Sequence, residues 1–147
     1  MHTLILHMRW PDRKIVAAQF LFYTIGGLGA FIAWVLIQLE EETLLLNMAG
    51  YYLTYHFRQW TMRLYLWGPI VLVSAFIALV ALWFILKRKK LGGYLGIVAV
   101  AIGLIVDILV ANIMFVHILV GLLIGWVLLS PVVFGWDDLF NVDESES

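Results

Sequence analysis

The run Leu91–Trp136, LGGYLGIVAVAIGLIVDILVANIMFVHILVGLLIGWVLLSPVVFGW, contains a single charged residue, Asp107. As one continuous helix this run would extend about 69 Å at 1.5 Å per residue, whereas the hydrocarbon core of a bilayer is about 30 Å thick. An apolar helix of that length would project far into water, so the run must fold back. It therefore predicts two membrane spans, over about 91–108 and 112–135, joined by a turn between Asp107 and Asn112.

Two other uncharged runs precede this one in the chain. Ile15–Leu39 and Leu64–Leu86 are each longer than the stretch of about 18 residues that indicates a transmembrane helix. Backbone groups inside lipid must form their hydrogen bonds within the segment, so these runs are predicted to be helical. We therefore predict an all-α integral membrane protein, a single membrane domain over 1–147, with four spans at about 15–39, 64–86, 91–108 and 112–135.

The composition is typical of a protein with a lipid-facing surface. Hydrophobic residues make up 64% of the chain and charged residues 13%, against about 45–50% and about 25% in soluble domains. A formal net charge of −1 and the lack of a basic stripe argue against a nucleic-acid partner. Because the chain contains no cysteine, disulfides, thiolate metal sites and thiol nucleophiles are excluded.

The distribution of basic residues predicts the orientation in the membrane. Four spans place both termini on one side, and the loops that carry more Lys and Arg are generally cytoplasmic. Only two of the nine basic residues, Arg58 and Arg63, fall on the opposite side. The other seven share the side of the termini: Arg9, Arg13, Lys14 and the cluster Lys87-Arg88-Lys89-Lys90. We therefore predict a multi-pass protein of the cell (inner) membrane with both termini in the cytoplasm.

The connection over about 41–62 is predicted to be an amphipathic helix that lies in the outer interface. On a helical projection one side holds Asn47, Thr54, Arg58 and Thr61. The opposite side holds Leu45, Ala49, Tyr52, Leu53, His56 and Trp60. Tyr and Trp side chains favour the headgroup level, and Arg58 and Arg63, with Trp60 between them, suit lipid phosphates. The alternative is that the segment extends the second span outward.

The acidic residues at the end of the chain predict a flexible segment. Residues 137–147 include five Asp or Glu residues and few apolar ones. Such a segment does not bury enough apolar surface to offset the entropy of ordering it. We predict a flexible tail over 137–147.

Three ionisable side chains are candidates for chemistry inside the membrane. Asp107 is the only carboxylate within the apolar runs, and we interpret it as a turn residue or helix cap, with an intramembrane ligand as the alternative. His117 is the only histidine in a span. At similar predicted depth, His56 and His117 could hold a b-type haem, or a divalent metal together with Asp107. The simpler interpretation is that both are hydrogen-bonded structural histidines.

Small residues predict where helices approach each other closely. Gly121 and Gly125 form a GxxxG match in the fourth span, and Gly26 and Gly29 lie on the first. Small residues allow helix backbones to come close together in lipid, where apolar burial gives no driving force. They could serve packing within the chain or against another subunit. Gln19 could hydrogen-bond a neighbouring helix.

No motif of an enzyme accompanies these features. The chain contains no GxSxG, HExxH, P-loop or GxGxxG pattern. We therefore expect a small non-catalytic subunit that anchors or stabilises a larger membrane complex, such as a respiratory or other redox complex, with the lipid bilayer and other integral membrane subunits as partners. Two alternatives are a haem- or metal-binding subunit and a homo-oligomeric channel or holin-like protein.

Overall fold

The structure is a computed structural model that describes residues 13–110 and 115–140. Every regular element in these ranges is a helix, as the apolar runs predicted. Five helices have 20 residues or more and one is short. They are α1 (Arg13–Gln38), α2 (Glu42–Arg63), α3 (Trp67–Leu86), α4 (Lys90–Val110), α5 (Phe115–Phe134) and α6 (Trp136–Phe140).

Three of these helices are long and apolar enough to cross a membrane. Their most apolar windows have mean hydropathies of 2.1 in α1, 2.7 in α3 and 2.4 in α4. The apolar stretch found in α5, Ile118–Phe134, is shorter. Large apolar side chains are exposed on all four helices, as expected where lipid replaces water as the solvent. The chain is thus a helical protein suited to a membrane.

The tightest packing joins α1, α3 and α4. A Cβ atom added at Gly27 of α1 would lie 2.8 Å from the Cβ of Ala75 on α3. One added at Gly92 of α4 would lie 2.6 Å from the backbone nitrogen of Ile85 on α3. At Gly96, the ring of Phe20 occupies the space that a side chain would need, at 2.8 Å. Small residues therefore allow these three helices to approach closely, as in many membrane bundles.

Side-chain hydrogen bonds link the same three helices. The Tyr23 hydroxyl on α1 lies 2.8 Å from Ser74 Oγ on α3, and Ser74 Oγ donates to the carbonyl of Ala99 on α4 at 2.7 Å. Thr24 Oγ1 donates to the carbonyl oxygens of Phe20 and, on α3, Ala75. Such bonds between membrane helices contribute about 0.6 kcal/mol each on average.

The two ends of the bundle differ in chemistry. We name the end that carries Arg13, Lys14 and Lys87–Lys90 the basic end. At the other end, which we name the aromatic end, Trp67 is fully buried and stacks on Phe57 at 5.6 Å between ring centroids. Its indole Nε1 donates to Thr61 Oγ1 at 2.9 Å. Trp60 packs edge-on against Trp67 at 5.4 Å, so α2 is held to α3 by aromatic contacts.

The connection α2 is helical but does not divide into the predicted faces. It is interrupted at Gly50, whose φ of 86° suits a residue without a side chain. Thr54, expected on the polar side, is fully buried and donates to the carbonyl of Gly50. Tyr52 and Leu53, expected on the apolar side, are exposed. The burial of each residue also depends on contacts with the other helices, which a helical projection of α2 alone does not include.

The start of the predicted tail is ordered in α6. Leu139 and Phe140 are buried, and a Cβ at Gly93 of α4 would clash with the ring of Trp136. The prediction of a flexible segment is therefore wrong for 137–140. The prediction relied on the number of acidic residues. It did not take into account that Leu139 and Phe140 are apolar and that Phe140 packs near Gly93 of α4. Residues 141–147 lie outside the described ranges.

Candidate functional site

A groove of about 730 Å³ lies between α1, α4 and α5 and is the main candidate for a site. Its walls are predominantly apolar. The aromatic rings of Trp60 and Trp67 line the part near the aromatic end. Five glycines also line it: Gly26, Gly27, Gly103, Gly121 and Gly125.

The groove exists because α1 contacts α5 at few places and α4 at fewer, whereas α1 and α4 both pack extensively on α3. A Cβ at Gly125 would lie 3.2 Å from Leu104 of α4, which is tighter than an ordinary van der Waals contact. A Cβ at Gly26, on the α1 wall, would meet no neighbouring atom within 4 Å. Side chains are therefore missing where the walls face each other, and volume remains between the helices.

Polar groups are few in the groove and are spread along it. The Tyr23 hydroxyl fits against Gly103, where a Cβ would clash with it. Gln19 lines the part towards the basic end, and its buried Oε1 has no hydrogen-bond partner among the described residues. Asp107 lines the part towards the aromatic end, near Val106 and Val110 of the cluster around Trp67.

Asp107 is a helical residue and not part of a turn. α4 continues through it to Val110, so the predicted turn does not begin at Asp107, and residues 111–114 lie outside the described ranges. The physical reason is that β-branched and Leu residues continue the apolar helix on both sides of a single Asp, whose own helix propensity is only slightly unfavourable. Its carboxylate points at α5, where a Cβ at Gly121 would clash with it.

The structure does not bring His56 into the groove. His56 is 5% exposed and packs between two tyrosine rings of α2, Tyr52 at 4.4 Å and Tyr55 at 5.6 Å between centroids. His117 belongs to α5, but its side chain lies outside what the structure describes. Within the described residues no group of three or more His, Cys, Asp or Glu side chains is placed to hold a metal ion. A haem or metal held by these residues stays a prediction.

The two predicted glycine pairs have different environments. Gly121 and Gly125 face α4, where they meet Asp107 and Leu104. Gly26 and Gly29 are exposed, and a Cβ at either would meet nothing within 4 Å. The close approach of α1 to α3 occurs at Gly27 instead.

The predicted lipid-binding residues lie on or beside α2. Arg58 is paired with Glu42, Nη1 to Oε2 at 3.6 Å, and Arg63 is exposed. An exposed ion pair of this kind contributes about 0–1 kcal/mol to stability. Trp60 is half-buried in the aromatic contacts and also lines the groove.

Sequence reasoning missed Tyr23 and Gly103 as parts of the site. Both lie within uncharged runs and carry no charge that would single them out. A signal was present in the pair Tyr23-Thr24, two hydroxyl side chains in the middle of a span, because hydroxyls in lipid require partners on neighbouring helices.

Comparisons of the whole chain with protein-family models, with curated proteins and with solved structures find no match.

Proposed function

We propose that this protein is a small non-catalytic integral membrane subunit that anchors or stabilises a larger membrane complex. The observation that carries the proposal is the unused pair Gly26 and Gly29 on α1. Both are exposed, and neither meets a neighbouring helix of the chain. Exposed small residues on a membrane helix allow another helix to approach its backbone. The large apolar side chains of Phe22, Ile25 and Ile32 are exposed on the same helix.

Native mass spectrometry of the protein extracted from its own membrane in mild detergent tests this proposal. We expect the wild-type chain in a defined heteromeric assembly, and Gly29→Leu to lose the partner mass because its side chain blocks close approach. Ala101→Leu is the matched control, since Ala101 is an exposed small residue on α4. A wild-type chain that is isolated alone, or only with copies of itself, would contradict the proposal.

We further propose four spans, with α5 as the fourth and both termini in the cytoplasm. α5 is 20 residues long, which matches the length that crosses the hydrocarbon core. The basic residues Lys87–Lys90, between α3 and α4, support a cytoplasmic position for the basic end. Exposed tyrosines on α2, among them Tyr51 and Tyr55, support its location in the outer interface.

A reporter that is active only in the cytoplasm, fused in turn to each terminus, tests the topology. Four spans require activity at both ends. A third fusion, placed between Glu40 and Glu42, is expected to be inactive because this connection would lie outside. Activity at one terminus only would require an odd number of spans.

A further inference from the structure

The groove between α1, α4 and α5 has the dimensions of a site for a small amphiphile. Small-molecule pockets in proteins occupy about 300–1,000 Å³ and have mainly apolar walls with a few polar groups. The groove, at about 730 Å³, falls within this range, and its polar groups are limited to a few side chains, among them Tyr23 and Asp107. This inference does not rest on the proposed subunit function; the two surfaces share Gly26, whereas Gly29 does not line the groove.

The length of the groove matches one leaflet of a bilayer. Along α4 its lining extends from Val100 to Val110, which is about 15 Å at 1.5 Å per residue. This is half of the hydrocarbon thickness of about 30 Å. A single apolar chain that extends across one leaflet has this length.

The position of Asp107 defines where the polar head of such a chain would lie. Asp107 is three residues before the end of α4 at Val110, in the part of the groove that Trp60 and Trp67 also line. Tryptophan side chains favour the boundary between membrane and water. A chain that enters from this leaflet therefore has its head beside Asp107 and its tail directed along α1 towards Gln19.

The chemistry of the carboxyl group selects the head. An ionised carboxylate accepts hydrogen bonds at several positions, and a protonated one also donates. A hydroxyl both donates and accepts, so it bonds to Asp107 in either state and in addition to the contact that Asp107 already makes. A phosphate or carboxylate head would be repelled by the ionised form. Gly121 has no side chain where it faces Asp107.

We propose that the groove binds a single-chain alcohol: an apolar chain of about one leaflet length whose terminal hydroxyl is hydrogen-bonded to Asp107. The open side of the groove gives access from lipid, because lining residues of α5 such as Val120 and Ile124 are about half exposed.

Photolabelling in liposomes tests the proposal with two probes that differ only in the head. One is dodecan-1-ol with a mid-chain diazirine, and the other is the corresponding dodecane. We expect saturable adducts of the alcohol on Tyr23, Val120 and Ile124. Excess unlabelled dodecan-1-ol should reduce them about tenfold, whereas dodecane should reduce them less than twofold, because only the alcohol forms a hydrogen bond with Asp107.

Two variants separate occupation of the groove from recognition of the head. Val120→Phe fills the groove and should lower labelling by both probes about tenfold. Val133→Phe, the same change at an equally exposed position of α5 outside the groove, should not. Asp107→Leu should lower saturable labelling by the alcohol to that of the alkane and leave alkane labelling unchanged, which also shows that the groove is intact.

Three outcomes would overturn the proposal. Labelling that does not saturate and spreads over lipid-facing residues would show that the groove selects nothing. Equal competition by the alcohol and the alkane would show that Asp107 does not recognise the head. A loss of labelling in Gln19→Leu but not in Asp107→Leu would reverse the orientation of the chain.

Discussion

The glycines on the two sides of α4 meet different kinds of neighbour. On the side that faces α1 and α3, other groups occupy the space that a side chain would need: the α3 backbone at Gly92 and the ring of Phe20 at Gly96. On the side that borders the groove, Gly103, Gly121 and Gly125 meet the ends of side chains and Gly26 of α1 meets nothing, and a groove of about 730 Å³ remains. We name these the packed side and the groove side.

This difference shows that a glycine in a membrane helix has no single meaning. It permits close packing only where another group fills the space that its missing side chain leaves. Where nothing fills it, as at Gly26, the result is volume or a free helix surface. The packed side should therefore be sensitive to substitution, and the groove side tolerant.

The largest decrease in the free energy of unfolding is expected when Phe20 is substituted. This ring is fully buried against Gly96, whereas Phe22, two residues later on α1, is 74% exposed. Phe20→Ala should lower the free energy of unfolding by about 3 kcal/mol, at the low end of the usual range because lipid is as apolar as the core. Phe22→Ala should change it by less than about 0.5 kcal/mol. Unfolding in mixed micelles, followed by circular dichroism, measures both, and similar losses would remove the distinction between the two sides.

The next largest change in the free energy of unfolding is expected at two glycines, Gly92 and Gly29, with opposite signs. At Gly92 an added methyl would meet the backbone of α3 at 2.6–2.9 Å, which cannot move without separating α3 from α4. We expect Gly92→Ala to destabilise the protein by about 2 kcal/mol. Gly29→Ala meets nothing and should stabilise it by up to about 1 kcal/mol through helix propensity. The same unfolding assay measures both changes, and a stabilising Gly92→Ala would show that α3 and α4 can separate at little cost.

A smaller effect is expected from the hydrogen bonds of the packed side. Ser74→Ala removes the bond to the Ala99 carbonyl and leaves the Tyr23 hydroxyl 3.2 Å from that oxygen. We expect Ser74→Ala to lower the free energy of unfolding by about 1 kcal/mol, within the range measured for such bonds in membranes. Tyr23→Phe and the double variant complete a thermodynamic cycle, and the two changes should not be additive because both hydroxyls share one acceptor. Strict additivity would show that the residues act independently.

The sequence predicted the packed side better than the groove side. Uncharged runs imply helices of known length because lipid allows the backbone few alternatives, and α1, α3 and α4 follow from that constraint. Where α4 ends depends on how one Asp is accommodated, and the answer involves Gly121 on a different helix. The interruption at Gly50 and the anchoring of Trp136 against Gly93 are likewise contacts or backbone angles that no helical period encodes. The groove depends on which helices contact each other, and the sequence of each run does not contain that information.

The smallest effect, and the sharpest test of the groove side, is expected at Gly121. A methyl there would come closer to the Asp107 carboxylate than one at Gly92 comes to the α3 backbone, so distance alone predicts at least as much damage. The obstacle, however, is the end of a flexible side chain beside an open volume, and Asp107 can rotate into the groove. With the gain in helix propensity, the net change for Gly121→Ala should stay within about 0.5 kcal/mol. A loss as large as that of Gly92→Ala would mean that Asp107 is fixed in place and that the groove side is as rigid as the packed side.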